Sequence, residues 1–432
     1  MQDKMSLKQL AAVSLMLFAM FFGAGNMIFP PVLGAMAGEN LIPAMLGFVA
    51  GDAGLAVLAV AAVTVVGNNL DEFGNIVGKG FSAVFGLILY LLIGPLFALP
   101  RTGSVAFEIA VIPFLTPCSS TFIPSIIFTA VFFGLAFYLS SNPNKIVDIV
   151  GKVLTPALLI SIALIFGAAL INPFGSVGAA TGGYAANPFI TGFIEGYNAL
   201  DGPAGLAFAA IVITAVQAYG VRDKGQIAKY TIISGLGAAV LLAIVYYALA
   251  YLGACSGALG TFANGGQMLT AITSTTVGTW GVGLLGITVI LACLTTAIGL
   301  TTGFGKYISE KYPSISYKLV IIVTTLFSFA IANVGLSRLI TLSLPVLLII
   351  YPVTIVLIVQ AFFHNQIGEH RGVYWGGVLC ALFVSIIHSL GLNLGSVSEL
   401  VAQLPLYSTG MGWILPAVVG SIIGWFVPVG RK

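Results

Sequence analysis

The chain has 432 residues, of which 59% are apolar and 7% charged, against roughly 25% charged in a soluble globular protein. With a mean hydropathy of +1.10 and 53 glycines, no single water-soluble core hides this much apolar surface, so lipid must be the solvent. Soluble enzyme folds are excluded, and the net charge of +3 comes from scattered basic residues that form no nucleic-acid patch. Cys118, Cys255, Cys293 and Cys380 lie far apart without a Cys-x-x-Cys pair and read as small apolar packing residues. Lys4, Lys8 and the following apolar run, with Ala35-Met36-Ala37 behind it, have the outline of a signal peptide. The run from Leu7 to beyond Met27 is longer than the roughly 7–15 residues of a signal core, and Pro30-Pro31 interrupts it, so no cleavage is expected.

Taken in chain order, apolar stretches of spanning length predict twelve helices, at 7–37, 40–67, 81–111, 121–140, 147–171, 188–219, 225–253, 280–306, 316–334, 338–362, 373–391 and 411–429. Together they make one transmembrane domain over 1–432. With the N-terminus inside, fourteen of the 16 Lys and Arg fall on cytoplasmic segments: Lys4, Lys8, Lys79, Lys145, Lys152, Arg222, Lys224, Lys229, Lys306, Lys311, Lys318, Arg371, Arg431 and Lys432. Arg101 and Arg338 fall elsewhere, and the bias places both termini in the cytoplasm of a multi-pass cell-membrane protein.

Two spans carry helix breakers at mid-membrane depth. The first contains Phe21-Phe22-Gly23-Ala24-Gly25-Asn26-Met27-Ile28-Phe29-Pro30-Pro31, and the sixth contains Gly196-Tyr197-Asn198-Ala199-Leu200-Asp201-Gly202-Pro203. Non-helical backbone at that depth is tolerated only where it lines a protein-enclosed cavity. Spans one to five (7–171) and six to ten (188–361) match in length, and five is odd, so corresponding breaks predict a five-plus-five inverted repeat, with 373–429 as two extra helices. Such an architecture places a substrate site between the breaks. Gly23, Ala24, Gly25 and Asn26 in the first, with Gly196, Tyr197, Asn198 and Asp201 in the second, are the candidate substrate residues. Helix N-terminal N–H groups near Gly25 and Asn26 suit a carboxylate, while free carbonyls near Ala19 and Phe22 suit a cation or ammonium group.

The Phe-Gly-Ala-Gly-Asn-Met-Ile-Phe-Pro-Pro stretch at 22–31 resembles the first-span signature of the branched-chain amino acid:cation symporters, the BrnQ-type carriers. Gly94-Pro95-Leu96-Phe97-Ala98-Leu99-Pro100-Arg101-Thr102 and Gly196-Tyr197 to Asp201 add to the likeness. That family belongs to the amino acid-polyamine-organocation superfamily, so the resemblance implies an all-α fold of the leucine-transporter type, sodium-coupled uptake by alternating access, and leucine, isoleucine and valine as substrates. Ala292-Cys293-Leu294-Thr295-Thr296 is similar to the superfamily's pattern for a sodium site. The carry-over names the carbonyls of Ala19, Phe22 and Ala292 and the hydroxyls of Thr295 and Thr296, an all-oxygen set suited to a hard cation. Sodium is thus the coupling ion, with no other cofactor, no nucleic acid and no obligatory protein partner expected.

Simpler roles stand beside these. Gly23 and Gly25 also fit as helix-packing glycines, and Thr295 and Thr296 as hydroxyls back-bonding to their own helix. Asp201 serves either to cap the helix that starts at Gly202-Pro203 or to contact substrate. Asp52 and Glu195 are intramembrane carboxylates open to a cation path or a structural hydrogen bond. Arg101 and Glu108, seven residues apart on one helical face, fit an outer gate, while a snorkelling arginine fits equally. His388 reads as a packed polar residue. The alternative function is a proton-coupled carrier of another small amino acid or related solute, with Asp52, Glu195 or Asp201 carrying the proton. A channel would need polar rings along a pore, and an enzyme a His/Asp/Glu or Ser/His constellation; neither pattern is present in the sequence.

Overall fold

The computed structural model describes residues 4–116, 120–141, 155–368 and 370–427. Cys118, Lys145, Lys152, Arg431, Lys432, residues 147–154 of the expected fifth span and residues 428–429 of the expected twelfth lie outside them. All regular secondary structure among the described residues is helical. Large aliphatic and aromatic side chains such as Ile127, Val131, Leu326 and Ile422 are exposed along the helices, the surface of a protein whose solvent is hydrocarbon.

The twelve-span, five-plus-five architecture does not stand. Among the described residues eight helical segments are long and apolar enough to cross a membrane: Ala24–Val66, Lys79–Phe114, Phe122–Ser140, Asp201–Ala218, Lys224–Ala254, Thr279–Lys311, Leu336–Phe362 and Arg371–Leu390. Leu7–Phe21, Leu158–Ile171, Tyr317–Ala332 and Ile414–Phe426 are apolar but only 10–17 residues long, short of the ~20 that a spanning helix needs. The physical reason is that a hydropathy window registers apolar content and not backbone direction. The expected first span is cut after Phe21, and its second half runs on through the Gly38–Asn40 turn into the expected second span. The expected sixth span divides into Pro188–Gly196 and Asp201–Ala218.

Small residues set the packing that positions the site. Helix Ala24–Ala37 crosses Lys224–Ala254 where Gly34 faces the Ala250 carbonyl and Gly253 faces the Pro31 carbonyl, so close that any side chain at either glycine would strike backbone. Pro188–Gly196 packs against Leu41–Val49, Asp201–Ala218 against Leu55–Val66, and Thr279–Lys311 against Ala98–Ala110. Two π-helical turns, Ala50–Gly54 and Leu92–Leu96, interrupt otherwise α-helical segments. Such turns recur at functional sites; Ala50–Gly54 packs against the second break described next, and Ile93 of Leu92–Leu96 lines the cavity between the breaks.

A candidate substrate and cation site at two helix breaks

The first break lies at Phe22 (φ −68°, ψ 89°) and Gly23 (φ −126°, ψ −152°), after which helix Ala24–Ala37 begins and carries Pro30 and Pro31 within it. Asn26 closes the turn by accepting the Gly23 N–H on its Oδ1 (3.1 Å), half of a capping box. The second break is a 3-10 turn, Tyr197–Ala199, followed by Leu200 in the left-handed region (φ 75°, ψ 9°) and helix Asp201–Ala218. A branched side chain at positive φ is strained, and such strain concentrates at functional sites.

Asn26 joins the breaks. Its Nδ2 donates to Asp201 Oδ2 (2.7 Å) and to the Tyr246 hydroxyl, which in turn donates to Asp52 Oδ2 (2.6 Å). Asp201 therefore reaches across to the first break: it is the first residue of its helix, with Leu200 at the N-cap position, and its carboxylate accepts from Asn26 and Tyr246. Asp52, on the Ala50–Gly54 π turn, is 0% exposed, and its Oδ1 has no partner. Phe48 packs edge-on against the Tyr246 ring at 5.3 Å. Four chain segments thus converge on two carboxylates that share one amide and one phenol.

Beside this cluster lies a cavity lined by Gly23, Ala24, Gly25, Asn26, Ala199, Leu200, Asp201, Arg101, Thr102 and Thr296, with an apolar wall of Met20, Phe21, Ile93, Phe208 and Leu300. Its volume is about 20 Å³, room for about one water molecule and far below the roughly 300–1,000 Å³ of open small-molecule pockets, so the space between the breaks is closed. Five of the eight candidate substrate residues line it. Gly196, Tyr197 and Asn198 do not: Gly196 packs on Gly51 and Phe48, and Tyr197 stacks on Tyr351 (4.2 Å between centroids), turned away by the 3-10 geometry. Glu195 is half-buried outside the cavity. Arg101 and Glu108 are not paired. Glu108 accepts from Asn264 Nδ2 (2.7 Å) and Gln267 Nε2 (3.1 Å), whereas Arg101 is 3% exposed and turned into the cavity, which excludes snorkelling.

On the other side of the first break, Thr295 Oγ1 shares its hydrogen between the Ala19 carbonyl (3.0 Å) and the Ala292 carbonyl (2.8 Å). Thr296 Oγ1 is buried without a partner and lies against Gly23, where a Cβ would come within 2.6 Å of it. These oxygens come from two chain segments far apart in sequence, and they adjoin the cavity through Gly23 and Thr296. Among the described residues no group of three or more His, Cys, Asp or Glu could hold a metal ion.

A family profile described as "Branched-chain amino acid transport protein" matches residues 6–430. The chain belongs to this family. It is 43% identical to the branched-chain amino acid permease BrnQ of Bacillus subtilis, across 100% of this chain and 99% of that one. It is 41% identical to the branched-chain amino acid transport system 2 carrier protein of Pseudomonas aeruginosa, across 96% and 94%. Its fold is similar to that of Mhp1, a nucleobase-cation-symport-1 family transporter, with a TM-score of 0.62 at 16% identity over 98% of this chain and 94% of that one. The protein is a multi-pass secondary transporter of the BrnQ type that moves a small-molecule substrate across the bilayer, not an enzyme.

Sequence reasoning missed Tyr246, Tyr351 and most of the apolar wall. The signal for Tyr246 was a phenol inside the long apolar run 232–254, a polar group that hydrocarbon does not favour and that a buried partner must satisfy.

Proposed function

We propose that this transporter imports leucine, isoleucine and valine by sodium symport, with both termini in the cytoplasm. In this reading the substrate lies in the cavity at the breaks, and its aliphatic side chain meets Met20, Phe21, Ile93, Phe208 and Leu300. Sodium is carried on the carbonyls of Ala19, Phe22 and Ala292 and the hydroxyls of Thr295 and Thr296. The observation that carries sodium coupling is the hydroxyl pair at 295 and 296. Thr295 Oγ1 already bridges two carbonyls from different helices, and Thr296 Oγ1 is a buried oxygen with no protein partner. Oxygens gathered in this way suit a hard monovalent cation.

Alternating access follows from the tightness of the cavity. A branched side chain enters only when the helices around the breaks part, and each opening must face one side of the membrane at a time. Initial uptake of labelled leucine into proteoliposomes, with sodium replaced by potassium or choline, tests the coupling ion. Uptake that persists without sodium and follows a pH gradient would favour a second reading, proton coupling. The specific observation behind that reading is the carboxylate pair Asp52 and Asp201, held on the same amide and phenol and, among the described residues, without an ion pair to either.

A further inference from the structure

Arg101 is a charge that the fold leaves unsatisfied. It sits in helix Ala98–Ala110, which starts just after the π turn at Leu92–Leu96, where Gly94 departs from helical geometry and Pro95 follows. That turn aims the guanidinium at the space between the two breaks. Its Nη2 lies close against Gly25, where a Cβ would be 3.0 Å away, and makes one long hydrogen bond to the Ala199 carbonyl (3.4 Å). The guanidinium stands over the Phe29 ring at 5.3 Å. Nε has no partner, and no carboxylate forms an ion pair with Arg101 among the described residues. A guanidinium offers five N–H donors in a planar fork matched to a carboxylate. Burying it with one long bond is costly unless an anionic acceptor arrives.

Asp201 lines the same cavity. Its two hydrogen bonds, from Asn26 and Tyr246, both fall on Oδ2. One small cavity therefore presents an unpaired guanidinium and a carboxylate, together with an apolar wall. A free α-amino acid carries the complementary three groups on one carbon. The first-turn N–H groups at Ala24, Gly25 and Asn26 carry only the partial charge of a helix terminus, so they would add to the guanidinium rather than replace it.

We propose that Arg101 binds the α-carboxylate of the substrate and Asp201 its ammonium group, so that the site selects zwitterionic amino acids by two opposite charges. The inference rests on the substrate placement proposed above and deepens it. Apolar contacts then choose among side chains, while the charge pair rejects amines and carboxylic acids of the same shape. An acceptor that fills the Arg101 fork also completes hydrogen bonding at the joint between Gly25 and Ala199, so binding draws the two breaks together.

The test is competition against labelled leucine by two probes of the same shape, with purified protein in proteoliposomes at saturating sodium. Leucinamide lacks the carboxylate, and 2-hydroxy-4-methylpentanoate lacks the ammonium group. In the unaltered protein both should compete at least tenfold more weakly than leucine. Arg101→Gln should weaken leucine tenfold or more while leaving leucinamide nearly unchanged, so that the two converge. Asp201→Asn should narrow the gap between leucine and the hydroxy acid. Arg101→Lys, which keeps the charge and loses the fork, should fall between, and it supplies the readout if the Gln variant does not yield monodisperse protein. An unchanged leucine-to-leucinamide ratio in either Arg101 variant overturns the proposal, as does an equal loss for both ligands, which is the mark of a positioning role. Absence of leucine binding to the unaltered protein would instead remove the substrate placement itself.

Discussion

Thr296→Val separates a cation ligand from a packing hydroxyl, because Thr296 has no hydrogen bond to lose. Its Oγ1 is buried and unpartnered, and its side chain is 9% exposed against Gly23. Valine keeps the branched shape and replaces the oxygen by a methyl group. Removing an unpartnered buried hydroxyl is neutral or stabilising, by up to about 1–3 kcal/mol. If the oxygen contacts sodium, its loss removes a contact to a charge worth about 1.5–3 kcal/mol, which at ~1.4 kcal/mol per decade raises the sodium concentration for half-maximal uptake roughly 10- to 140-fold. Thr295 is a less clean site, since its replacement also loses the bond to the Ala19 carbonyl. The assay is initial leucine uptake across a sodium titration in proteoliposomes, with melting in detergent as the control for folding. Linkage adds a second reading: at sub-saturating sodium the apparent leucine affinity falls, and saturating sodium restores it. A Val variant with native-like melting and an unshifted sodium curve would remove Thr296 from the cation site.

Gly25→Ala places a Cβ 3.0 Å from both Ala199 Cα and the Arg101 Nη2; overpacking of about 1–3 kcal/mol at this joint should raise the leucine KM about 5- to 140-fold, and unaltered kinetics would show that the breaks do not need to touch. Isoleucine and valine should displace labelled leucine while glutamate and lysine do not, because the wall of Met20, Phe21, Phe208 and Leu300 has no partner for a side-chain charge; equal competition by lysine refutes the substrate class. If, as proposed, Lys4 and Lys8 at one end and Arg431 and Lys432 at the other hold both termini in the cytoplasm, a C-terminal cysteine tag should be silent to an impermeant reagent in intact cells, and labelling would refute the topology.

The breaks were legible because glycine and proline at membrane depth have few uses, and Gly23 and the run up to Pro203 announce themselves in any apolar stretch. The helices between them were harder to count. The polar cluster Gly38-Glu39-Asn40 divides the apolar stretch between Ala24 and Val66 in sequence, and only the backbone shows that the helical segment continues through it as a 3-10 turn. Tyr197 and Asn198 sit in the right stretch but face elsewhere, because a 3-10 turn rotates each residue by more than an α-helix does. Arg101 was visible as a charge. Its direction depends on the kink at Gly94-Pro95, which sequence spacing cannot convert into an orientation. Tyr246 meets Asn26 across 220 residues of chain, a contact that no local pattern encodes.

If the two proposed sites are occupied as described, Gly23 is the point at which cation and substrate sense one another. Its N–H is held by Asn26, whose amide reaches Asp201 in the second break, and its Cα rests against Thr296. The preceding turn carries the Ala19 carbonyl that Thr295 already touches. A ligand at the proposed sodium oxygens therefore fixes the same turn whose far side lines the proposed substrate cavity. Each then shifts the turn toward the geometry the other prefers, and the two affinities must change by the same factor. Coupling of this kind needs no long pathway, since a single residue without a side chain belongs to both sites. A larger residue at 23 would push against Thr296 before it reached the cavity, so the cation side should fail first.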